Sequence, residues 1–350
     1  MAAIELVNVS FAYPSDPSVR VIDSLSLSIA DGERHAILGA SGAGKTTMLN
    51  LLSGILQPDE GQILFDGENV QGIGPGARSL TQVFQFPVLY ESLSVYENLI
   101  FALKNRGEFD AQASKRVTEI VGELGLQESL ECKPGQLDLY QKQLVAMAKA
   151  IVRSNTRLVL LDEPLTAVDP IRKWQMRRVL RRIQSTFGMT MVYVTHDQTE
   201  AMAFAEKISV LTAEGIAQTG TPDELYERPE TPFVGHFVGS PGMNFLPVEA
   251  LARDGLAGNG TTMIGFRQDW ALIEAVGGRP MDIFDVTGIV HDVRLTHTDA
   301  GLEVGLVHLE TSDGEIVVAG GKLDIGSEAG VRIHKLVRYE DGRLGATDDR

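Results

Sequence analysis

A glycine-rich run of eight residues constrains the fold of this 350-residue chain more than any other feature. It reads Gly39-Ala40-Ser41-Gly42-Ala43-Gly44-Lys45-Thr46, between an apolar strand predicted at Ala36–Leu38 and a helix predicted over Lys45–Ser53. Glycines let the backbone turn tightly and aim its N–H groups inward, and the helix N-terminus adds partial positive charge. A chance match has a probability on the order of one per cent in a chain of this length. The run predicts a phosphate-binding loop, with Lys45 reaching the β- and γ-phosphates and the Thr46 hydroxyl available to Mg²⁺.

Two adjacent acids follow a second apolar strand. The stretch Leu158-Val159-Leu160-Leu161-Asp162-Glu163 predicts a strand buried on both faces that delivers its acids to one edge of the sheet. There Asp162 can hold Mg²⁺, directly or through water, and Glu163 can polarise an attacking water. Alone, two solvated acids after a strand would be the better interpretation. Together with the phosphate loop, the pair predicts a hydrolytic site.

A histidine follows a third predicted strand, Met189–Val194, in the sequence Thr195-His196-Asp197. It is predicted to lie at the same sheet edge, where its ring can hydrogen-bond a γ-phosphate. A single histidine at the end of a strand is usually structural, so this signal is weak by itself.

The order of apolar, helical and glycine-rich segments divides the chain into two parts. Residues 1–238 alternate short apolar runs with helical patterns, which predicts an α/β domain with a largely parallel sheet. Within that domain, the apolar spacing of residues 86–153 predicts helices, with Ser114 as a candidate helix cap and Gly125 as a helix end. Residues 239–350 are rich in glycine and short alternating segments, which predicts a small all-β module.

Bulk properties narrow the function classes. The net charge of −16 disfavours broad binding to nucleic-acid phosphates. The single cysteine, Cys132, excludes an internal disulfide framework and is typical of a reducing cytosol. No signal peptide is expected, since Glu5 lies near the start and no basic region precedes an apolar run. No stretch approaches the ~20 apolar residues that span a bilayer.

Along its whole length the sequence resembles the nucleotide-binding subunits of ABC transporters. The resemblance implies an ABC-type P-loop NTPase fold and the cofactors ATP and Mg²⁺. It assigns the Mg²⁺ aspartate to Asp162, the catalytic glutamate to Glu163 and the switch histidine to His196. It also matches Tyr13 to the aromatic that stacks on adenine, with Phe11 as the alternative. The nucleotide contacts that it implies are Tyr13, Gly39, Ala40, Ser41, Gly42, Ala43, Gly44, Lys45, Thr46, Thr47 and Gln85.

Two of these assignments concern communication with other subunits. Gln85, in Val83-Phe84-Gln85, matches the glutamine that senses Mg²⁺ and contacts the membrane subunit, so the implied Mg²⁺ set is Thr46, Gln85 and Asp162. Asp169 matches the loop that communicates across the ATPase dimer.

Three stretches are similar to the maltose and glycerol-phosphate type importers. They are Leu89–Leu99, the segments Gln198–Met202 and Gly220–Tyr226 taken together, and Phe237–Phe245. This similarity implies uptake of a sugar, glycerol, glycerol phosphate or another polyol, two transmembrane permease subunits and, indirectly, an extracytoplasmic solute-binding protein. It places the chain at the cytoplasmic face of the inner membrane as a peripheral subunit. The β-rich tail then resembles the OB-like module of those importers, which has regulatory and dimerisation roles there.

One segment departs from the family. Each ATP in such dimers lies between one subunit's phosphate loop and a Leu-Ser-Gly-Gly-Gln signature of the other, and here the matching stretch is Leu137-Asp138-Leu139-Tyr140-Gln141. Its register is supported by Val145–Ala150, which matches the helix that normally follows. The substitutions add bulk and a negative charge near the phosphates. The sequence therefore favours a heterodimer with a second ATPase, in which one ATP site is competent and the other degenerate.

Alternatives remain open at this point. One is a non-transport ABC ATPase; another is a regulatory nucleotide-binding subunit with weak hydrolysis; a third is a P-loop kinase, for which no acceptor site or lid is found. The basic helix that follows Asp169 is interpreted as a solvated amphipathic helix. His291, His297 and His308 are interpreted as scattered surface histidines.

Overall fold

The computed structural model of the protein describes residues 2–250, 261–277, 285–297, 303–320 and 323–349. The chain folds into two compact units, one up to Pro222 and the other from Asp223 onward. The sequence-based boundary at residue 238 lies further along the chain, so that two short helices fall in the second unit: α7 (Pro222–Glu227) crosses into it and α8 (Pro232–Phe237) lies wholly within it.

The first unit contains two sheets. A four-stranded antiparallel sheet has the order β2-β1-β4-β5, and a six-stranded sheet has the order β10-β9-β3-β8-β7-β6, in which only β10 pairs antiparallel. The strands of the first are β1 (Ile4–Ala12), β2 (Arg20–Ile29), β4 (Glu60–Phe65) and β5 (Glu68–Asn69). Those of the second are β3 (Arg34–Gly39), β6 (Leu80–Val83), β7 (Leu158–Asp162), β8 (Thr190–Thr195), β9 (Lys207–Thr212) and β10 (Gly215–Gly220).

Strand β7 shows why the larger sheet is buried on both faces. Leu158 and Leu160 pack into the core shared with the antiparallel sheet, while Val159 and Leu161 pack into the core shared with the helices. Because successive side chains of a strand point to opposite faces, one unbroken apolar run fills two cores. The predicted α/β class with a largely parallel sheet is confirmed.

Six helices complete the first unit: α1 (Lys45–Ser53), α2 (Val95–Asn105), α3 (Ala111–Leu124), α4 (Leu139–Ile151), α5 (Pro170–Phe187) and α6 (Gln198–Phe204). Three of them, α2 to α4, form the helical region expected within residues 86–153. Ser114 was the wrong cap for α3, because Asp110, four residues earlier, accepts the backbone N–H of Ala113 and caps the helix. Gly125 ends that helix in the left-handed conformation, as predicted.

Helix α4 connects two parts of the first unit that matter below. Asp138 caps its N-terminus, and its buried face packs beside α2 and α3. Its Gln143 side chain donates a hydrogen bond of 3.2 Å to the Phe84 carbonyl, in the loop that follows β6. The helix therefore holds the segment that precedes Gln85.

Apart from α7, α8 and short 3-10 turns, the second unit is an all-β module with two antiparallel sheets around one apolar core, as expected for an OB-like module. Their orders are β11-β12-β18-β19 and β13-β17-β14-β15-β16. The strands are β11 (Asn244–Pro247), β12 (Met263–Phe266), β13 (Ala271–Ala275), β14 (Val286–His297), β15 (Glu303–Thr311), β16 (Gly314–Gly320), β17 (Glu328–Ile333), β18 (Lys335–Glu340) and β19 (Arg343–Asp349).

Two features of this module were not expected from the sequence. The guanidinium of Arg267 is fully buried and donates to the carbonyl oxygens of Tyr226, Gly235 and Val238; burial lowers its pKa to about 10. His291 and His308, interpreted as scattered surface residues, lie close together with Glu315, so that interpretation was wrong for these two. The side chain of His297 lies outside the described residues.

Of the helices in the described ranges, none combines the length and the apolar character needed to cross a bilayer.

Candidate functional site

The phosphate loop joins the carboxyl end of β3 to the N-terminus of α1. Gly42 and Gly44 have φ values of 85° and 91°, a region that favours glycine. A Cβ at Gly39 would lie 2.5 Å from the carbonyl oxygen of Leu211, so the first position also requires glycine. The loop, Val21 and Glu163 line an open cleft of about 330 Å³. The turn predicted from glycine spacing is present, and it opens into a cavity.

Lys45 lies in this loop with its side chain folded inward. Its ammonium donates to the carbonyl oxygens of Gly39 and Ala40, at 2.9 and 2.8 Å. Burial lowers the pKa of Lys45, and the carboxylates of Glu163 and Asp162 oppose that shift. The loop therefore carries a poorly solvated cation beside two acids.

The far end of α1 is anchored by a buried arginine. Arg78 donates from Nη1 to the Leu51 and Leu52 carbonyls, both at 2.8 Å, and from Nε to the Ile73 carbonyl at 2.8 Å. The Leu51 and Leu52 carbonyls belong to the last turn of the helix, where the regular helical hydrogen bonds run out, although Leu51 also accepts the Gly54 N–H at 3.2 Å. The anchor holds α1, and with it the phosphate loop, in place.

Strand β7 ends at Asp162, and the chain then turns sharply at Glu163. Burial and the neighbouring Glu163 raise the pKa of Asp162, while Lys45 opposes the rise. Glu163 has a φ of 43°, which a non-glycine residue adopts only under strain, and its N–H donates to the Val194 carbonyl of β8 at 2.9 Å. Strain of this kind concentrates at functional sites, which marks Glu163 as a candidate.

The Glu163 carboxylate is held by two side chains. His196 Nδ1 lies 3.0 Å from Glu163 Oε1, and the Thr166 hydroxyl donates to Oε2 at 3.2 Å. His196 follows β8, which pairs with both β3 and β7, so that these three strands bring the histidine, the acids and the phosphate loop to one edge. This is the convergence that the motifs predict. Thr166 had no predicted role; its position three residues after Glu163 was the only signal.

The remaining predicted residues are spread around this edge. The Tyr13 hydroxyl lies 3.0 Å from the Thr47 hydroxyl, and the Tyr13 ring meets the Phe11 ring edge-on at a centroid distance of 5.0 Å. Tyr13 is exposed and Phe11 is buried, so Tyr13 is the ring that a nucleotide base can reach. Gln85 is half-buried and lies two residues beyond β6, which pairs with β7 in parallel.

The segment that departs from the family forms the first turn of α4. Asp138 accepts the Gln141 N–H at 2.8 Å, and the Gln141 side chain accepts the Asp138 N–H at 3.1 Å. This reciprocal capping box uses two of the N–H groups that a helix N-terminus offers to an anion. The Asp138 carboxylate occupies the position where an anion would bind.

The negative charge of Asp138 is partly neutralised by a residue of α5. Arg172 Nη1 lies 2.7 Å from Asp138 Oδ2, and the Arg172 guanidinium lies over the Tyr140 ring at 5.2 Å. The hydrogen bond from the Gln141 N–H and the pairing with Arg172 lower the pKa of Asp138. From the sequence pattern, Arg172 was interpreted as part of a solvated basic face, so its pairing with Asp138 was not predicted.

Comparison with known proteins places these motifs in a family. A family model described as ABC transporter matches residues 22–166, which include the phosphate loop, Gln85, Asp138, Asp162 and Glu163. An sn-glycerol-3-phosphate import ATP-binding protein, UgpC, of Chromohalobacter salexigens is 42% identical over 260 residues, 74% of this chain and 70% of that protein. The UgpC protein of Brucella suis biovar 1 is 38% identical over 323 residues, 91% of this chain and 90% of its own length.

Solved structures give the same result. The chain is similar to cbiO1 from Clostridium perfringens, part of the ABC transporter complex cbiONQ, with a TM-score of 0.60 and 26% identity over 64% of this chain and 90% of that one. It is also similar to the ATP-binding cassette MJ0796, in a dimeric post-hydrolysis state bound to ADP and Pi, with a TM-score of 0.55 and 29% identity. That similarity covers 63% of this chain and 98% of the cassette.

Proposed function

Since this chain belongs to the ATP-binding subunits of ABC transporters, we propose that it hydrolyses ATP to power the import of a glycerol-type or sugar-type solute. Enzyme class and family follow from relatives that are 38–42% identical over most of their own length. The proposed solute class rests on these relatives, which are sn-glycerol-3-phosphate import ATP-binding proteins. Glycerol, glycerol phosphate and sugars are the candidates.

The observation that carries the chemical proposal is the position of Glu163. Its carboxylate lines the same cleft as the phosphate loop, and it accepts from Thr166 while His196 lies at its other oxygen. A carboxylate fixed in this way can take a proton from a water that attacks the γ-phosphate. His196 and Thr166 orient the base, and the His196 side chain is half-exposed, so it remains accessible to a γ-phosphate.

Nucleotide binding is assigned to the phosphate loop and the residues beside it. Gly39 to Thr47 supply N–H groups and hydroxyls, and Tyr13 supplies an exposed ring for adenine. When phosphates enter, the Lys45 ammonium exchanges the Gly39 and Ala40 carbonyls for phosphate oxygens, which replaces two neutral acceptors with charged ones.

The oxygen donors at this edge fit Mg²⁺. Asp162 and Glu163 are adjacent acids whose mutual repulsion helps raise the pKa of Asp162, so a cation between them and the phosphates is favoured. Thr46, Asp162 and the amide oxygen of Gln85 are the proposed ligand set, and hard oxygen donors are what Mg²⁺ prefers. When bound, Mg²⁺ neutralises developing charge on the phosphate oxygens.

Transport requires partners that span the membrane. An importer ATPase works with permease subunits, and we propose that this chain binds two of them. We also propose that it lies at the cytoplasmic face of the inner membrane as a peripheral subunit. Its link to an extracytoplasmic solute-binding protein would be indirect, through the permeases. Gln85 and the helical region α2 to α4 are the proposed contacts with the permeases. The net charge of −16 disfavours nucleic acid as a partner.

The first turn of α4 supports a heterodimer with a second ATPase. Its capping box leaves fewer N–H groups for the γ-phosphate of an opposing subunit, and Leu139 and Tyr140 add side chains where the family has glycine. Losing one preorganised donor costs roughly 10²–10³ in rate. The phosphate loop, Asp162, Glu163 and His196 are intact, so this half-site is competent when another subunit supplies a good signature.

Two measurements test these proposals separately. Uptake of labelled sn-glycerol-3-phosphate, glycerol and maltose is measured in cells that lack the gene for this chain; loss of one uptake, restored by the wild type and not by Glu163→Gln, identifies the solute class. Unchanged uptake of all three would overturn the proposed solute class.

ATP hydrolysis is then measured for the purified chain alone and for the chain co-expressed with a second ATPase and the permeases. Brisk hydrolysis by the chain alone would overturn the heterodimer.

A further inference from the structure

The outer face of the second module gathers three metal-binding side chains from three adjacent strands. Val290 of β14 pairs with Leu309 of β15, and both are buried in the core. The next pair is Asp292 with His308, so the chain bulges at His291 and two residues of β14 oppose one of β15. A bulge re-aims the extra side chain. Here it brings the exposed His291 to the face that His308 shares.

The third side chain comes from β16. Glu310 pairs with Glu315 and His308 pairs with Val317, so Glu315 and His308 are diagonal neighbours on the same face. Oε1 of Glu315 lies 3.2 Å from Nε2 of His291 and 2.5 Å from Nδ1 of His308. One potential ligand atom from each of the three residues falls within 4.8 Å of the other two. Both imidazoles thus converge on one carboxylate oxygen.

The chemistry of this set favours a transition metal. Two imidazoles and one carboxylate are the ligands of many zinc sites, whose bond lengths of about 2.0–2.2 Å put ligand atoms roughly 3.3 Å apart. The separation of 3.2 Å between His291 and Glu315 is already near that value.

We infer that His291, His308 and Glu315 form a binding site for a divalent transition-metal ion of the zinc class, with water completing its coordination. The site lies entirely within the all-β module and is independent of the proposed ATP site. Mg²⁺ and Ca²⁺ are poor occupants, because they prefer a full set of oxygen donors, whereas imidazole suits Zn²⁺, Ni²⁺ and Cu²⁺. A bound ion would tie β14 to the hairpin of β15 and β16.

The place of this site in the sheet suits control of the module's rigidity. The three ligands come from three strands, so the ion would restrain local opening of that part of the sheet. His308 is the best-buried of the three, and its Nε2 has no hydrogen-bond partner among the described residues. Because the three ligands lie on β14, β15 and β16, the metal-bound and metal-free proteins would differ most in these strands.

Calorimetric titration of metal-free, full-length protein with Zn²⁺, in buffer containing 1 mM Mg²⁺, tests the inference. We expect saturable binding that Mg²⁺ does not suppress and that His291→Ala and His308→Ala each weaken about 10-fold or more. The matched control is His334→Ala, an exposed histidine of the same module, which is expected to bind Zn²⁺ like the wild type.

Hydrogen exchange provides a second readout that does not depend on activity. Zn²⁺ is expected to slow exchange in 286–297 and 303–320 in the wild type and not in His308→Ala. Zinc affinity that is equal in the wild type, His291→Ala and His308→Ala overturns the inference, and so does protection confined to the ATP-binding unit. Loss of binding in His334→Ala would also overturn it.

Discussion

The Asp138 carboxylate joins the N-termini of two helices. It accepts the Gln141 N–H at the start of α4, and Arg172 of α5 donates to it at 2.7 Å. The segment that departs from the family is therefore a folded and charge-balanced structure, stabilised by a capping box, an ion pair and the contact of Arg172 with Tyr140. The defect that we propose for this segment as a partner for ATP therefore rests on its geometry and its used N–H groups, and only partly on its charge.

A repaired signature should restore hydrolysis to the chain alone. The triple substitution Asp138→Ser, Leu139→Gly and Tyr140→Gly recreates the Leu-Ser-Gly-Gly-Gln pattern from Leu137 to Gln141. We expect ATP hydrolysis by the purified chain to rise at least about 10-fold, since each recovered donor is worth 10²–10³ in rate. Phosphate release at saturating ATP and Mg²⁺ measures it.

Two controls separate this gain from a nonspecific effect. Asp138→Ser alone leaves the bulk of Leu139 and Tyr140 in place and is expected to give little of the gain. Adding Glu163→Gln to the triple variant should abolish it. If the repaired chain hydrolyses ATP no faster than the wild type, the segment is not the defect.

Removal of the cap should loosen the start of α4. Asp138→Ala loses the acceptor for the Gln141 N–H and is expected to cost about 1 kcal/mol. Asp138→Asn keeps an acceptor and should be close to the wild type. Arg172→Ala removes an ion pair whose partners are 43% and 46% exposed, and is expected to loosen this turn less than Asp138→Ala does. Hydrogen exchange of the first-turn amides of α4 ranks the three variants by how far they loosen this turn. Equal exchange in the Ala and Asn variants of Asp138 would contradict the capping role.

Glu163→Gln should separate binding from hydrolysis. The amide keeps the shape of the side chain and cannot take a proton from water, so hydrolysis is expected to fall by about 10²–10⁴ in the complex with the second ATPase. Binding of ATP, followed with a fluorescent analogue, should persist. Glu214→Gln, at an exposed turn, is the control and should leave both unchanged. Hydrolysis at the wild-type rate in Glu163→Gln would exclude Glu163 as the base.

Arg267→Met should unfold the second unit at lower temperature. The substitution removes the guanidinium donor from the carbonyl oxygens of Tyr226, Gly235 and Val238. Gly235 keeps the Met243 N–H at 3.0 Å, whereas the other two carbonyls lose the donor described for them, and unsatisfied buried acceptors cost about 1–3 kcal/mol each. A loss of roughly 3 kcal/mol or more is expected in the unit that begins at Asp223. Arg343→Met, at an exposed position, should change stability by less than about 0.5 kcal/mol. Calorimetry of the full chain distinguishes the two, and equal transitions would refute the anchoring role.

The sequence predicts the candidate site at the sheet edge because local rules act there. Glycine spacing defines the turn from β3 to α1, and an apolar run followed by acids defines β7 and its end. Parallel strands carry their carboxyl ends to one edge, so His196 and Glu163 could be expected near each other. The 3.0 Å separation of their side chains and the left-handed φ of Glu163 come from the structure.

Contacts between residues far apart in sequence could not be predicted in this way. Arg172 lies 34 positions from Asp138, and its basic neighbours in α5 made a solvated face the simpler interpretation. His291 and His308 come together only because β14 bulges beside β15, and nothing in their spacing reveals the bulge. Arg267 looks like any other arginine until its three carbonyl partners are seen. Register and tertiary packing decide these sites, whereas periodicity decides the elements.

Helix α4 can transmit movement from the other ATPase to the loop that contains Gln85. Its N-terminus is the segment that would face the other ATPase, and its Gln143 holds the Phe84 carbonyl beside Gln85, the proposed permease contact. A 13-residue helix is about 20 Å long and bends little. Gln143 lies little more than one turn from that N-terminus, so docking of the second ATPase would move Gln143 and the Phe84 carbonyl together with the helix, and an interface that hydrolyses ATP poorly could still pass movement to the proposed permease contact.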